Sequence, residues 1–294
     1  MSDSLANLRR KISSAADLQS VVRTMKALAA SSIGQYEQSV QALSDYYRTV
    51  QRGLGVCFRQ AGGPGMAIQP PAEHGISGMV VFGSDQGLVG QFNDIVAEHA
   101  LQTLTTLGGK TMVWAVGERV HARLIEAGIA PAGVFALPGS VQAITPLVWN
   151  ILVESERPRG AAHLSSLYLC YNQPVAGAVF SPVHQRLLPL DDAWRRDLAA
   201  QTWPTHNLPE VIGNTGTTLR ALIREYLFVS IFRACAESLA SENASRLAAM
   251  QRADKNIEAL LDKLNGNFHR LRQNGIDEEL FDVITGFEAL NKSL

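Results

Sequence analysis

Three glycines mark a place in the sequence where a phosphate-binding turn could form. Gly83, Gly87 and Gly90 come after a short apolar run in the stretch VVFGSDQGLVGQFND, and an amphipathic segment follows them. A glycine-rich turn between a strand and a helix can direct backbone N–H groups at a phosphate. The stretch is therefore the first candidate for nucleotide chemistry.

The surroundings of these glycines lack what nucleotides require. A Walker loop needs a Lys directly after its last glycine, and the Gly-Lys pair of this chain, Gly109–Lys110, lies in a different turn. A dinucleotide-binding turn needs the spacing G-x-G-x-x-G and an acidic residue about 20 positions further on. Here the spacing is G-x-x-x-G-x-x-G, and no Asp or Glu lies between Glu98 and Glu118. We therefore interpret the stretch as a structural turn.

The other residue types that carry chemistry are dispersed. The seven histidines have no metal-ligand spacing, and Ser84 lacks the G-x-S-x-G context of a nucleophile. Asp191 and Asp192 follow a proline and are interpreted as a solvated turn. The three cysteines are far apart in sequence, as expected for reduced thiols in a reducing compartment. We predict no catalytic residue, no metal site and no cofactor.

Composition limits the classes of protein to which the chain can belong. Hydrophobic residues make up 46% of it, which is enough for a substantial core. The net charge of −1 gives no basic field, so no nucleic-acid partner is expected. No apolar run reaches the roughly 18 residues of a membrane span, and the polar N-terminus lacks the apolar part of a signal peptide. We expect a soluble, cytosolic protein.

The first 58 residues have the pattern of one long helix. They contain no proline, and apolar or small residues recur about every 3.5 residues, at Leu5, Leu8, Ile12, Ala15, Leu18, Val22, Met25 and onward to Val50. A sustained period of about 3.5 is typical of a coiled-coil seam. We predict a coiled-coil helix over residues 1–58. Residues 59–75 are rich in Gly and Pro and are predicted to be a linker.

Residues 76–205 alternate short β-like runs with helix-like ones. Strands are predicted at ISGMVVFG, TMVWAVG, AGVFALPG, LSSLYLCYN and FSPVHQRLLPL, and helices at Asn93–Leu107, Glu118–Gly128 and Val141–Glu156. Such alternation indicates βαβ units and a mostly parallel sheet, hence a Rossmann-like α/β domain. The last two strands are predicted to form an antiparallel hairpin at the edge.

Residues 206–294 return to the helical period of the N-terminus. No proline follows Pro209, which is predicted to lie in the first helical turn with Asn207 as its cap. Another N-terminal helical turn is predicted at Asp277, after Asn274–Gly275. Because neither long helix can bury its apolar stripe alone, the two are expected to pair. The predicted fold class is α/β, with a long antiparallel coiled coil of N- and C-terminal helices and an inserted Rossmann-like α/β domain.

Three stretches of the sequence resemble the gamma subunits of F-type ATP synthases. The C-terminal stretch matches the family pattern at Ser241, Glu242, Ala244, Arg246, Ala249, Met250, Ala253, Asn256, Arg272, Gln273, Ile276, Glu279, Leu280 and Gly286. The N-terminal stretch is similar through Arg10, Ile12, Ser14, Met25, Lys26, Ala29 and Ala30. The glycine-rich stretch resembles the family's S-D-x-G-L-x-G-x-F-N through Ser84, Asp85, Gly87, Leu88, Gly90, Phe92 and Asn93.

The resemblance implies the central shaft of a rotary motor, without catalysis by the chain itself. It implies one copy per complex, with a coiled coil that penetrates the catalytic ring of alpha and beta subunits. The α/β domain would meet an epsilon subunit and the membrane proteolipid ring, on the cytoplasmic face of the bacterial inner membrane, as a peripheral component. The contacts to the catalytic ring that the resemblance suggests are Met25, Lys26, Arg270, Arg272, Gln273 and Glu278.

The sequence departs from the family pattern at several points. Ser20 and Val22 replace the usual Lys and Thr near the N-terminus. Asp277 replaces the Thr of I-T-x-E-L, and Phe281 replaces a usually polar or small residue. These departures resemble a divergent bacterial form, such as an alternative sodium- or proton-linked ATPase.

Two other functions stay open at this stage. One is a small-molecule-binding α/β protein with helical oligomerisation arms, which would need a convergent polar pocket near Ser84–Gln91. The other is a passive coiled-coil scaffold.

Overall fold

Two very long helices and a five-stranded sheet dominate the structure, which is a computed structural model that describes residues 4–60, 75–107, 109–157, 164–175, 178–207 and 209–291. The helices are α1 (Leu5–Gln60), α2 (Phe92–Leu107), α3 (Glu118–Glu126), α4 (Ile144–Glu156), α5 (Asp192–Ala200) and α6 (Thr215–Asn291). The strands are β1 (Ile76–Phe82), β2 (Thr111–Val116), β3 (Gly133–Phe135), β4 (Leu164–Val175) and β5 (Ala178–Leu188).

The chain divides into two compact units. One consists of Met1–Leu28 together with Leu247–Leu294, and the other is Ala29–Arg246. Helices α1 and α6 are 56 and 77 residues long, or about 84 and 115 Å at 1.5 Å per residue. Within the described ranges, no helix combines the length and apolarity needed to cross a bilayer. The predicted domain limits at residues 58, 75 and 205 stay predictions.

The sheet has the strand order β3-β2-β1-β4-β5. β1 lies parallel to both β2 and β4, with Val80 opposite Trp114 on one side and opposite Leu169 on the other. β4 and β5 are antiparallel, with Cys170 opposite His184. The α/β fold class and the antiparallel edge hairpin are therefore confirmed. The strand order reverses at β1, because β2 and β4 lie on opposite sides of it.

Alternate residues of β1 bury themselves on opposite faces of the sheet. Met79 and Val81 belong to the core beneath α2 and α3. Val80 and Phe82 belong to the larger core on the other face, which includes α4 and the parts of α1 and α6 in this unit. Both faces of a largely parallel sheet are thus covered, which explains the apolar run Met79–Phe82 in β1.

The other unit is an antiparallel helix pair. Ala15 and Val22 of α1 pack with Met250 and Ile257 of α6, and each pair is spaced by seven residues, as in a coiled-coil seam. The two helices run in opposite directions, since Lys26 contacts Asp254 whereas the earlier Arg9 lies over the later Phe268. The predicted antiparallel coiled coil is therefore confirmed.

Helix α6 corrects two predictions. It begins at Thr215 and not near Pro209, because Gly213 has a φ of 91°, outside the right-handed helical region. The Asn214 side chain accepts a hydrogen bond from the Thr217 amide at 3.1 Å and caps the helix. The turn predicted to begin at Asp277 was also wrong, since α6 continues through this position without a break.

The segment after the hairpin supplies a further correction. Asp191 and Asp192 were interpreted as a solvated turn, but α5 begins at Asp192. The Asp191 carboxylate accepts a hydrogen bond from the Ala193 amide at 2.9 Å and caps this helix. The pair therefore initiates a helix in addition to being exposed to solvent.

Candidate partner-binding surface of the helix pair

The glycine-rich stretch closes on itself through side-chain hydrogen bonds. The Ser84 amide donates to Asn93 Oδ1 at 2.9 Å, and Asn93 Nδ2 donates to Ser84 Oγ at 2.8 Å. Ser245 of α6 donates to the Val89 carbonyl at 2.5 Å. These bonds join the end of β1 to α2 and α6, which agrees with the interpretation of the stretch as a structural turn.

The Asp85 side chain of this turn binds the start of a neighbouring helix, α3. Asp85 Oδ1 accepts from the Glu118 amide at 2.9 Å, at the first residue of α3, and Asp85 Oδ2 accepts from the Leu137 amide at 3.2 Å. A Cβ at Gly117, which has a φ of 109°, would lie 2.8 Å from the Ser84 carbonyl oxygen. The donors at this helix start are thus already used by the protein's own carboxylate.

This arrangement bears on the small-molecule alternative. The turn follows β1, where the strand order reverses, and that is the usual ligand position in doubly wound sheets. Because the polar groups of Ser84, Asp85 and Asn93 bond to the protein itself, they do not form the open pocket that the alternative requires. A cavity of about 620 Å³ lies elsewhere, with Tyr47, Arg233 and Glu237 in its lining.

The cysteines are inert in the fold. All three are buried free thiols. Burial raises the pKa of Cys170 to about 12, and it also raises the pKa of Cys57 and of Cys235. A thiol with a raised pKa is a poor nucleophile at neutral pH. Among the described residues, no three His, Cys, Asp or Glu side chains are grouped so that they could hold a metal ion.

A polar cluster joins the two helices of the pair at Asp254. Its Oδ2 accepts from Lys26 Nζ at 2.9 Å, and its Oδ1 accepts from Arg23 Nε and Gln19 Nε2, each at 3.3 Å. The hydrogen bond from Lys26 is the main reason that the pKa of Asp254 is lowered, and the charges of Lys26 and Arg23 lower it further. One carboxylate of α6 thus holds three side chains of α1.

The two predicted N-terminal contacts lie in this same region. Met25 is half-buried and packs against the core of the helix pair. Lys26 donates to Asp254, and its side chain is 36% exposed. Both residues therefore stabilise the pair, and their predicted contact with a catalytic ring stays a prediction.

The four predicted C-terminal contacts are exposed on α6. Arg270 donates a hydrogen bond to Asn267 Oδ1 of its own helix at 3.2 Å. Arg272, Gln273 and Glu278 are exposed as well. The structure thus places these four side chains where a partner could reach them.

In the same part of the chain α6 exposes an apolar surface that we call the tip. Its large apolar side chains, with exposures between 45% and 70%, are Ile276, Leu280, Phe281, Val283 and Ile284. Residues 276–286 are all exposed. A cluster of large exposed apolar side chains on a helix is a mark of a protein-binding surface.

Comparison with known proteins decides the family. A sequence model of a family described as ATP synthase matches residues 4–290, nearly the whole chain. The chain belongs to the ATP synthase family. Two similar relatives are both named ATP synthase gamma chain. The one from Sorangium cellulosum is 27% identical and the one from Pelotomaculum thermopropionicum is 26% identical, and each alignment covers 98% of this chain and 99% of the relative.

Solved structures of ATP synthases share the fold of this ATP synthase family member. The rotor of the Euglena gracilis mitochondrial ATP synthase includes a chain with a TM-score of 0.60 and 14% identity, covering 92% of this chain and 98% of that one. The central stalk of the Tetrahymena thermophila mitochondrial ATP synthase gives a TM-score of 0.55 and 20% identity, covering 79% and 99%. At these identities the likeness concerns the fold.

Two features of this ATP synthase family member were missed from the sequence. The Asp254 cluster joins residues 228 to 235 positions apart, so no local pattern could reveal it. The tip follows the same period of threes and fours as the buried parts of α6, so its exposure was not visible either. The unusual Phe281, 67% exposed, was the available signal for the tip.

Proposed function

We propose that this chain is the central-stalk rotor shaft, the gamma subunit, of a rotary F-type ATP synthase. It couples ion flow across the membrane to the conformational cycle of a catalytic ring. Membership of the family and the names of the relatives support this assignment. The shaft itself is non-catalytic, and the nucleotide chemistry belongs to other subunits.

The observation that carries the proposal is the tip of α6. Five large apolar side chains of residues 276–286 are exposed, although the same helix buries or half-buries most of its other large apolar side chains, with Leu260 as an exception. Exposure of apolar side chains to water is unfavourable in free energy, and a partner that surrounds the tip would bury them. A sleeve formed by alpha and beta subunits fits such a tip, because it contacts all sides of one helix.

The remaining partners follow from the same assignment. We place one copy of the chain in each complex, with an epsilon subunit and the membrane proteolipid ring as partners of the α/β domain. The complex places the chain at the cytoplasmic face of the bacterial inner membrane, as a peripheral subunit. The bacterial origin of the two relatives supports this location.

Assembly with the catalytic ring tests the tip. A variant carrying Ile276→Ser, Leu280→Ser and Phe281→Ser is mixed with purified catalytic ring, and binding is measured together with bead rotation. Apolar contacts that matter at an interface cost more than about 1 kcal/mol each when truncated, so the triple variant should bind about 100-fold more weakly. Rotation under load should be lost in parallel.

A matched variant controls for the removal of exposed apolar side chains. Ile125→Ser, Val134→Ser and Val153→Ser change three exposed apolar residues of the α/β domain, and ring binding should stay as in the wild type. Equal ring binding by the wild type and both variants would contradict the assignment of the tip. ATP hydrolysis by the isolated chain would contradict the non-catalytic role.

We further propose that Arg270, Arg272, Gln273 and Glu278 contact the ring directly, since their side chains are exposed near the tip. Met25 and Lys26 act from within the helix pair, and Lys26 keeps enough exposure to reach a partner. Single alanine substitutions at the four exposed positions should therefore change ring affinity without changing the stability of the shaft. Met25→Ala should lower stability as well, because its side chain is part of the core of the pair.

A further inference from the structure

Two histidines that are far apart in the sequence meet on the surface of the α/β unit. His99 lies on α2 and His184 on the edge strand β5. His99 Nε2 is 3.1 Å from His184 Nδ1, and the two ring centroids are 5.2 Å apart. His99 is half-buried and His184 is exposed, so solvent reaches the pair.

The separation of the two nitrogens is close to the span of a metal chelate. A metal–imidazole bond is about 2.0–2.1 Å long, so two imidazole nitrogens on one metal lie about 2.9 Å apart at a right angle and about 3.4 Å apart at a tetrahedral angle. The observed 3.1 Å lies between these values. In such a chelate each lone pair points about 35–45° away from the line that joins the two nitrogens, so both rings must turn to meet one ion.

A buried hydroxyl lies beside both histidines. Thr103 is buried, and its hydroxyl donates to the His99 carbonyl at 2.8 Å and lies 3.5 Å from His184 Nδ1. This hydroxyl fixes the turn of α2 that carries His99.

Cys170 lies opposite His184 in the strand pair but does not join the pair of imidazoles. Its thiol donates to the Val96 carbonyl at 3.8 Å, and burial raises its pKa to about 12. A metal ligand must be a thiolate, which this environment disfavours. Water therefore fills the remaining coordination positions of any ion held here.

We propose that His99 and His184 form a two-imidazole site for a divalent transition-metal ion of the Zn²⁺, Ni²⁺ and Cu²⁺ class. Imidazole nitrogen suits these ions, and Cu²⁺ is expected to bind more tightly than Ni²⁺. Without metal, one ring donates a hydrogen bond to the other. With metal, the donor ring carries its proton on its other nitrogen instead, so that both facing nitrogens bind the ion, which links α2 to β5 across the edge of the sheet. The site is independent of the tip and of the proposed rotor function.

Titration of the purified full-length chain tests the site. Cu²⁺ and Ni²⁺ are added separately to the wild type, to His99→Gln, to His184→Gln and to the double variant, and binding is followed by calorimetry. His121→Gln on α3 is the matched control. Loss of one ligand should weaken the strongest binding event by about tenfold or more, since even the loss of a group that only orients a metal-binding side chain costs about 10–100-fold. The control should bind like the wild type.

Two further readouts separate the site from binding elsewhere on the chain. Copper spectra at one equivalent should show coupling to two nitrogens, and the melting temperature should rise with added Ni²⁺ in the wild type and in His121→Gln alone, because a ligand that binds the folded state raises its stability. Melting without metal verifies that the Gln variants are folded. Equal affinity and equal stabilisation in the wild type and the double variant would overturn the proposal.

Discussion

Helix α6 contains two regions with the same apolar period and opposite environments. In residues 226–246 nearly every side chain is buried or half-buried, including Ile231, Cys235 and Ala236, which have no exposure. In residues 276–286 every residue is exposed. The apolar period therefore predicts which face of a helix can be buried, but it does not predict which part of the helix is buried. Other parts of the chain cover the first region, whereas none of the described residues covers the second.

The buried region also contains polar groups that an isolated helix would not bury. Glu242 and Arg246 form an ion pair with side-chain exposures of 4% and 13%. Burial raises the pKa of Glu242, and Arg246 opposes this shift. Buried ion pairs of this kind contribute little net stability, but removal of one partner is costly. Packing and this ion pair together therefore hold the region within the chain.

The largest expected difference between the two regions concerns stability. Ile231→Ala should lower the free energy of unfolding by about 2–5 kcal/mol, because it leaves a cavity in a fully packed core. Ile284→Ala removes the same atoms from a side chain that is 45% exposed, and it should change stability by less than about 0.5 kcal/mol. Urea unfolding of the purified chain, followed by circular dichroism, measures both.

The order of the two effects should be reversed when binding to the catalytic ring is measured. Ile284→Ala should weaken binding to the catalytic ring, whereas folded Ile231→Ala should bind like the wild type at a temperature well below its melting point. If both variants lost similar amounts of stability, the tip would have to be buried within the chain in solution. That result would contradict the difference in burial between the two regions of α6.

Much of the fold could be predicted because its signals are local. The apolar run of β1, the alternation of strands and helices, and the seven-residue spacing that includes Ala15 and Val22 all appear within short windows of sequence. The residues at which helices begin and end were harder to predict. The start of α6 depends on Gly213 and Asn214, and the earlier Pro209 gave a stronger but misleading start signal. A continuous helix tolerates Gly275, at a cost of about 1 kcal/mol, so the expected break did not occur.

The candidate sites were less predictable because their parts are distant in sequence. The family resemblance pointed to four residues near the tip that are exposed, including Arg272 and Glu278. It also pointed to Lys26, but it did not show that Lys26 is held in an ion pair. His99 and His184 are separated by 85 positions and share no motif. Such contacts are created by the topology of the sheet and by the pairing of the helices, which a single sequence does not encode in any local pattern.

Between the two regions of α6, Asp254 should have an intermediate effect. Asp254→Asn removes the charge that holds Lys26 and Arg23, and it should destabilise the helix pair by less than Ile231→Ala does. Because the folded pKa of Asp254 is lowered from 3.8, its contribution is present above pH 3.8 and is lost as the pH falls through the folded pKa. Unfolding curves of the wild type and the variant should therefore converge at acid pH, and also at high salt.

Asp45 provides the control for this prediction. Its pair with Arg48 lies within one turn of α1, with both side chains more than half exposed, so Asp45→Asn should leave stability unchanged. A pH-independent effect of Asp254→Asn would contradict a charge-based role and would indicate that the cluster acts through packing alone.

The smallest expected effect on the global free energy of unfolding belongs to Gly275, at the start of the tip. A Cβ at this helical position meets no other atom within 4 Å, so Gly275→Ala should favour the local helix by about 0.5–1 kcal/mol. Hydrogen exchange should slow at the amides of the tip, while the global free energy of unfolding stays the same. Gly55→Ala is the opposite case in α1, since its Cβ would lie 2.5 Å from the Leu198 carbonyl oxygen. It should destabilise the chain, because the backbone at Leu198 is packed and cannot shift to make room for the added methyl group.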